Sequence, residues 1–244
     1  MKPKLGRNCR RIICLAMFMA FLAAPGLAKT PASDVALVTM LAGEASYWND
    51  AEKKVPDRMQ AFMKVRRGDN LKLPGATSLT LLYFASGRQE TWKGPVTLRA
   101  GDTESAAVGA EKSPPQPEVK LIPTKATKQM QGAPLLLPGS GISKSGVIQT
   151  MTPASPGPDR TPAAPLSPEA LRKIKEAEGI YQDLSKNAAA PDLTPELYFF
   201  SVLAEYKQYP EMEKVVDTML SKKPGDPALK NLQIWVRSQA AAGH

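Results

Sequence analysis

Apolar residues recur along this chain in three rhythms, each predicting a different kind of structure. Between about 33 and 109 they come in short runs closed by turn residues. Val35-Ala36-Leu37-Val38-Thr39-Met40-Leu41 is a β-branched apolar run that breaks at Gly43 and resumes through Ala45-Ser46-Tyr47-Trp48. The polar stretch Asn49 to Arg58 reads as a loop. After the turn signal Arg67-Gly68-Asp69, Leu71 and Leu73 alternate with Asn70 and Lys72. Pro74-Gly75 turns the chain into Ser78-Leu79-Thr80-Leu81-Leu82-Tyr83-Phe84, and Ser86-Gly87 closes a hairpin into Arg88-Gln89-Glu90-Thr91-Trp92. Gly94-Pro95 precedes Val96-Thr97-Leu98-Arg99, and Gly101-Asp102 ends the series. Short strands at such spacing predict a small antiparallel sandwich or barrel. Its expected core is Leu37, Met40, Phe62, Val65, Leu79, Leu81, Tyr83, Trp92, Val96 and Leu98.

From 110 to 166 the rhythm is lost. Eleven of the 23 prolines fall between Pro114 and Pro165, with Gly, Ser, Thr and Lys among them. Such a composition buries too little apolar surface to offset its ordering entropy, so the segment reads as an extended linker. Two apolar islands interrupt it, Pro134-Leu135-Leu136-Leu137-Pro138 and Gly146 to Met151. Either they are sticky parts of a linker, or Val147 to Met151 adds a strand to the β domain or docks on the helices.

The third rhythm is helical and covers 167–240. Ser167-Pro168-Glu169 is an N-cap followed by proline at the first helical position. Leu171, Ile174, Ala177, Tyr181 and Leu184 then line one face. Asp192-Leu193-Thr194-Pro195-Glu196 repeats the start signal, with Thr194 as the expected cap, before Leu197, Phe199, Phe200, Leu203 and Tyr206. Pro210-Glu211 opens a third helix holding Met212, Val215, Val216, Met219 and Leu220. Pro224-Gly225-Asp226-Pro227 stops it and caps a fourth, with Leu229, Leu232, Trp235 and Val236. Short connections predict antiparallel hairpins.

Ahead of these zones, Lys2, Lys4, Arg7, Arg10 and Arg11 precede an apolar run from Ile12 to Ala24 and then Pro25-Gly26-Leu27-Ala28. This is the layout of a secretory signal peptide, residues 1–28, cut after Ala28. The apolar run is shorter than the roughly 20 residues that span a bilayer. Cys14 lies inside that run, without the small residues that precede a lipidated cysteine, which argues against a lipoprotein. Cleavage removes both cysteines, Cys9 and Cys14. It also removes five basic residues and no acidic one, taking the net charge from +9 to +4.

The chemistry left to an exported chain is narrow. Without cysteine it has no disulfide, thiolate nucleophile or cysteine-ligated metal. Its single histidine, His244, is the last residue. Ser-His-Asp and Cys-His catalysis and His-ligated zinc are therefore not expected. Carboxylate pairs remain, such as Asp50 with Glu52 or Glu90 with Asp102, but no spacing marks them as an acid and base. No basic cluster with interleaved aromatics suggests nucleic acid. No enzyme activity, metal or cofactor is expected, and the membrane enters only through the signal peptide before cleavage.

The segments "LAGEASYW" and "VRRGDNLKLPGATSLTLLYFASGRQETWKGPVTL" resemble, from about Val38 to Asp102, the FecR-type periplasmic domain. Gly68-Asp69 and Ser86-Gly87 are the closest matches. The resemblance implies a fold built on turn and core residues, with no catalytic residue, and a periplasmic setting. With no sigma-factor-binding part ahead of the domain, transmembrane anti-sigma signalling is not implied. The second and third predicted helices resemble a degenerate tetratricopeptide (TPR) hairpin closed by Pro224. Phe199, Leu203, Met212, Val216 and Met219 take its apolar or small positions. Phe200 and Met212 depart from the small residues usual at theirs. An unrelated small helical bundle is the other reading.

The fold class expected is therefore α+β and multi-domain: signal peptide 1–28, FecR-like all-β domain 33–109, Pro-rich linker 110–166, and all-α TPR-like hairpins 167–240. The function expected is a non-enzymatic periplasmic interaction protein, a protein-binding or signalling module and scaffold. Its partner would be a protein or peptide, envelope components among the candidates. Tyr198, Phe200, Tyr206 and Tyr209 are the residues to line a partner groove, against their use as core. The alternative is binding of cell-wall glycan by the β domain. Trp48, Tyr83 and Trp92 would stack on sugar rings, and Arg66, Arg67 and Arg88 would meet carboxylates. Against that stands the plainer use of Tyr83 and Trp92 as core and of the arginines as a solvated face.

Overall fold

The alternating and continuous apolar runs of the first half form ten strands in the computed structural model, which describes residues 33–50, 55–109, 115–132 and 166–242. They are β1 (Asp34–Ala42), β2 (Ser46–Asn49), β3 (Asp57–Arg58), β4 (Lys64–Arg66) and β5 (Asp69–Leu73). The others are β6 (Ser78–Tyr83), β7 (Arg88–Lys93), β8 (Val96–Ala100), β9 (Ser105–Ala107) and β10 (Glu118–Leu121). Two five-stranded sheets result, in the orders β10-β7-β6-β1-β4 and β3-β2-β5-β8-β9. Every pairing is antiparallel.

The sheets pack face to face. Val38, Val65, Leu79, Leu81, Tyr83 and Trp92 of the first meet Leu71, Leu73 and Leu98 of the second in one buried cluster. The second sheet alternates, with Leu71 and Leu73 buried and Lys72 exposed, as expected of a sheet with one wet face. The first sheet does not. In β1, Val35 to Thr39 are buried without a break, and so are Leu79 to Tyr83 in β6. A strand buried continuously is covered on both faces.

Helices provide the second cover. They are α1 (Thr124–Gly132), α2 (Pro168–Lys186), α3 (Thr194–Glu205), α4 (Tyr209–Lys222) and α5 (Pro227–Ala242). Leu37, Leu82, Phe84 and Ile122 join Ala126 and Met130 of α1, and Leu197, Phe200 and Leu203 of α3, in a second core. The first sheet is thus a middle sheet, lying between the outer sheet and a helical layer. Leu37 belongs to the helical side, not to the sandwich core where the sequence places it. Phe62 is likewise half-buried against the helical side.

Polar contacts fix the layers. Thr127 Oγ1 donates to the Phe84 carbonyl at 2.7 Å. Lys64 Nζ donates to the Gln131 carbonyl at 2.7 Å, a cation at the C-terminal end of α1, and lies 4.0 Å from Asp34 Oδ2. Burial lowers the Lys64 ammonium pKa and raises that of the Asp34 carboxyl. Gln89 Nε2 donates to Thr194 Oγ1 at 2.8 Å, and Lys120 Nζ to the Asn187 carbonyl at 2.8 Å.

Two expectations change. Residues 110–166 are not linker throughout, because β10 and α1 lie within them. Ile122, Ala126 and Met130 are buried on the middle sheet, apolar surface that the proline count conceals. The strands and helices share a core instead of hanging on a tether, and all described residues fall in one compact unit, Ala32–His244. The islands at Pro134–Pro138 and Gly146–Met151 lie outside the described residues, as do residues 1–28, expected to be a signal peptide. Thr194 is also not the cap of its helix. Asp192 Oδ1 accepts from the Thr194 N–H at 2.9 Å, leaving the Thr194 hydroxyl for Gln89. Of the other three starts, two carry side-chain caps, with Ser167 Oγ accepting from the Ala170 N–H at 3.1 Å and Asp226 Oδ1 from the Ala228 N–H at 2.9 Å, and the one at Pro210 has no side-chain cap. Among the described residues no helix is long and apolar enough to cross a membrane.

Candidate functional site

The helical candidates divide into core and edge. Tyr198 and Phe200 are only 3% and 2% exposed. Burial, with Glu176 nearby, pushes the Tyr198 phenol up to about 12. These two do not line a groove in this fold. Helix α3 is enclosed by α1, α2 and α4, so Thr194 through Tyr198 and Phe200 through Leu203 are all buried. The half-buried Phe199 stacks on Tyr181, with ring centroids 5.2 Å apart and planes 11° from parallel. Glu196 is buried as well, and Lys222 Nζ donates to its Oε1 at 2.7 Å.

Tyr206 and Tyr209 lie half-buried where α3 turns into α4. Tyr209 meets Trp235 of α5 edge-on, with centroids 6.2 Å apart and an interplanar angle of 74°. Trp235, legible in the sequence only as part of an apolar stripe, completes this aromatic edge. Helices α4 and α5 are fastened beside it by Arg237 Nε donating to Glu213 Oε1 at 2.6 Å and Gln233 Nε2 to Asp217 Oδ1 at 2.7 Å. An aromatic edge with polar tips, held on two clamped helices, suits contact with a partner surface.

In the sandwich, the arginines expected to meet a ligand are committed to the protein's own carboxylates. Arg88 Nε donates to Glu90 Oε1 at 2.6 Å and lies 3.6 Å from Glu104. Glu90 is fully buried and also accepts from Trp92 Nε1 at 2.9 Å and the Ser105 N–H at 3.1 Å. Arg66 lies 3.9 Å from the buried Asp69, which accepts from the Arg66 N–H and from Asn49 Nδ2. Arg67 faces Asp102 at 3.6 Å. Glu90 and Asp102 therefore make no acid–base pair: one lies in the core, the other at the exposed surface. Glu52 lies outside the described residues. Tyr83 and Trp92 fill the core at 0% and 2% exposure, with Tyr83 Oη 2.8 Å from Ser105 Oγ. Burial raises the Tyr83 phenol pKa strongly.

Trp48 has a different setting. Its indole Nε1 donates to Asp50 Oδ1 at 3.0 Å, and its strand neighbour on the outer sheet is Asn70. Asn70 pairs on its other side with Arg99, and Lys72 pairs with Ser46 and Thr97. Leu71, Leu73 and Leu98 point into the core, so Trp48, Asn70, Lys72, Thr97 and Arg99 share the face turned away from it. The alternation of Asn70 and Lys72 with Leu71 and Leu73 signals this face in the sequence. Beside it an open groove of about 340 Å³ runs past Lys72, Thr97, Pro95 and Val108.

Among the described residues no group of three His, Cys, Asp or Glu side chains is placed to hold a metal ion. Compared with known proteins, the chain matches no family model, no curated protein and no solved structure.

Proposed function

We propose that this chain is an exported, non-enzymatic interaction protein in which a FecR-like sandwich carries a TPR-like helical layer that binds a protein or peptide partner. The observation that carries this reading is the aromatic edge of Tyr206, Tyr209 and Trp235 on helices docked to the middle sheet. Half-buried tyrosine and tryptophan side chains are the residue types that dominate protein interfaces. Their mount is clamped, because the Arg237–Glu213 and Gln233–Asp217 contacts tie α4 to α5, so little ordering entropy is lost on binding. Two face-to-face antiparallel sheets and helices packed in sequence order agree with both resemblances, and the signal-peptide layout supplies the compartment.

The test is capture from the exported fraction with the chain from Lys29 as bait, set against Tyr209→Ala and Trp235→Ala baits of unchanged circular dichroism. The proposal expects a partner whose recovery falls at least about tenfold with either variant, as for interface hot spots. A captured set that is identical for all three baits would reject it.

A further inference from the structure

The helices cover the middle sheet and leave the outer sheet to solvent on its far side. That face combines features not needed by a merely solvated surface. Trp48 presents an indole whose ring is held by the hydrogen bond from its Nε1 to Asp50. Across the strands the order is Trp48, Asn70, Arg99, with Lys72 two residues along β5 from Asn70. Lys72 and Arg99 are diagonal neighbours, about 7–8 Å apart at the backbone by ordinary sheet geometry. Both are exposed, and among the described residues neither has an acidic partner. The acids near in sequence have other partners: Asp69 pairs with Arg66 and Asn49, Asp102 with Arg67 and Glu44 with Arg58, while Asp50 stands beside the indole and accepts from Trp48 Nε1. Between the indole and Arg99 sits Asn70, 6% exposed, whose Nδ2 is buried without a hydrogen-bond partner. That donor lies below the accessible surface, so what the face offers a ligand is the indole and the two cations.

We propose that this face, built from Trp48, Lys72 and Arg99, binds a linear polysaccharide bearing carboxylates. The two cations set the sign of the ligand, and the guanidinium fork matches a carboxylate in both charge and shape. The indole supplies a flat apolar platform for a sugar ring, a role that charge alone does not require. The groove past Lys72 and Thr97 continues the track along the sheet, as an extended polymer needs. This site lies on the opposite side of the sandwich from the helical layer and does not depend on the aromatic edge assigned above.

The test is calorimetric titration of the full chain from Lys29 with polygalacturonate, neutral dextran and polyglutamate. The expected result is saturable binding to polygalacturonate that weakens with added salt, with no binding to dextran. Lys72→Ala combined with Arg99→Ala should weaken binding by about tenfold or more, and Trp48→Ala by about fivefold, in line with the loss of charge-assisted and aromatic contacts. Lys186→Ala combined with Lys214→Ala removes the same charge from exposed sites on α2 and α4 and should leave affinity unchanged. Absence of saturable binding would overturn the proposal, as would equal losses in the two double variants. Tight binding of polyglutamate that Trp48→Ala does not touch would also overturn it, pointing to an acidic protein instead. The Tyr209 and Trp235 variants should bind the polymer as the parent does, which separates this test from that of the helical partner.

Discussion

Glu90 is an acid among aromatic and aliphatic neighbours, and its two oxygens take hydrogen bonds from Arg88, Trp92 and the Ser105 backbone. The last of these crosses from the middle sheet to β9 of the outer sheet, so one carboxylate ties the two layers. Glu90→Ala would leave the Arg88 cation, the Trp92 N–H and the Ser105 N–H without their acceptor. The expected cost is about 3–5 kcal/mol, the range for breaking a buried pair by removing one partner. Glu90→Gln keeps part of the acceptor capacity and should lose less. Urea midpoints of the three proteins check this, and a loss under about 1 kcal/mol for Glu90→Ala, the level of an exposed ion pair, would refute it. At this scale the sequence was partly legible. Tyr83 and Trp92 read as core because they sit among apolar strand positions. Arg88, Glu90 and Trp92 share one face by their two-residue spacing, so an inward acid with its own arginine was readable there too. Acids are so common on surfaces that the pattern passed for one. Tyr198 and Phe200 misled for the opposite reason, since a hairpin viewed alone leaves one side of each helix wet and α1 was not foreseen.

The turn between β6 and β7 shows how elements depend on one another. Gly87 has φ +70°, and a Cβ there would lie 2.1 Å from the carbonyl oxygen of Ile122. Its N–H donates to Tyr83, while its carbonyl accepts from Ile122 at 2.8 Å. The hairpin and the end of β10 therefore meet backbone to backbone. Gly87→Ala combines a left-handed residue with a backbone clash, and the expected destabilisation is about 2 kcal/mol or more. Thermal unfolding of the variant measures it, and an unchanged midpoint would contradict the close approach. Ser86-Gly87 is legible as a turn from residue type alone. The approach of Ile122 is not, because prolines at 114, 115, 117 and 123 made Glu118–Leu121 resemble linker. The continuous apolar runs of β1 and β6 are visible in the sequence, yet they read as part of a small sandwich or barrel; uninterrupted burial is the mark of a third layer.

For the whole molecule, the α+β class was legible from the change of apolar period between the two halves. The docking of those halves was not, since it rests on Leu37, Leu82 and Phe84 sharing a core with α3, more than 100 residues on in sequence, and no local pattern names a distant partner. A shared core predicts a single unfolding transition. In a Trp235→Phe chain, far-ultraviolet circular dichroism follows the helices, and fluorescence follows Trp48 and Trp92 in the sandwich. The two denaturation curves should coincide within error. Separate midpoints would mean that the layers fold independently.

The both-sided burial of the middle sheet also governs the order of events in the life of the chain. Synthesis runs from the N-terminus, so Phe84 and the strands around it are complete 113 residues before Leu197, which joins the core on their far face. Until then only α1 covers that apolar face, and the longest closures, such as Gln89 with Thr194 across 105 positions, carry the largest loop entropy. Folding of this protein is therefore a late, long-range event, slowed by separation along the chain and not by any weakness of its strands. A chain that ends short of α3 leaves part of an apolar sheet face open, the condition in which protection from aggregation matters most.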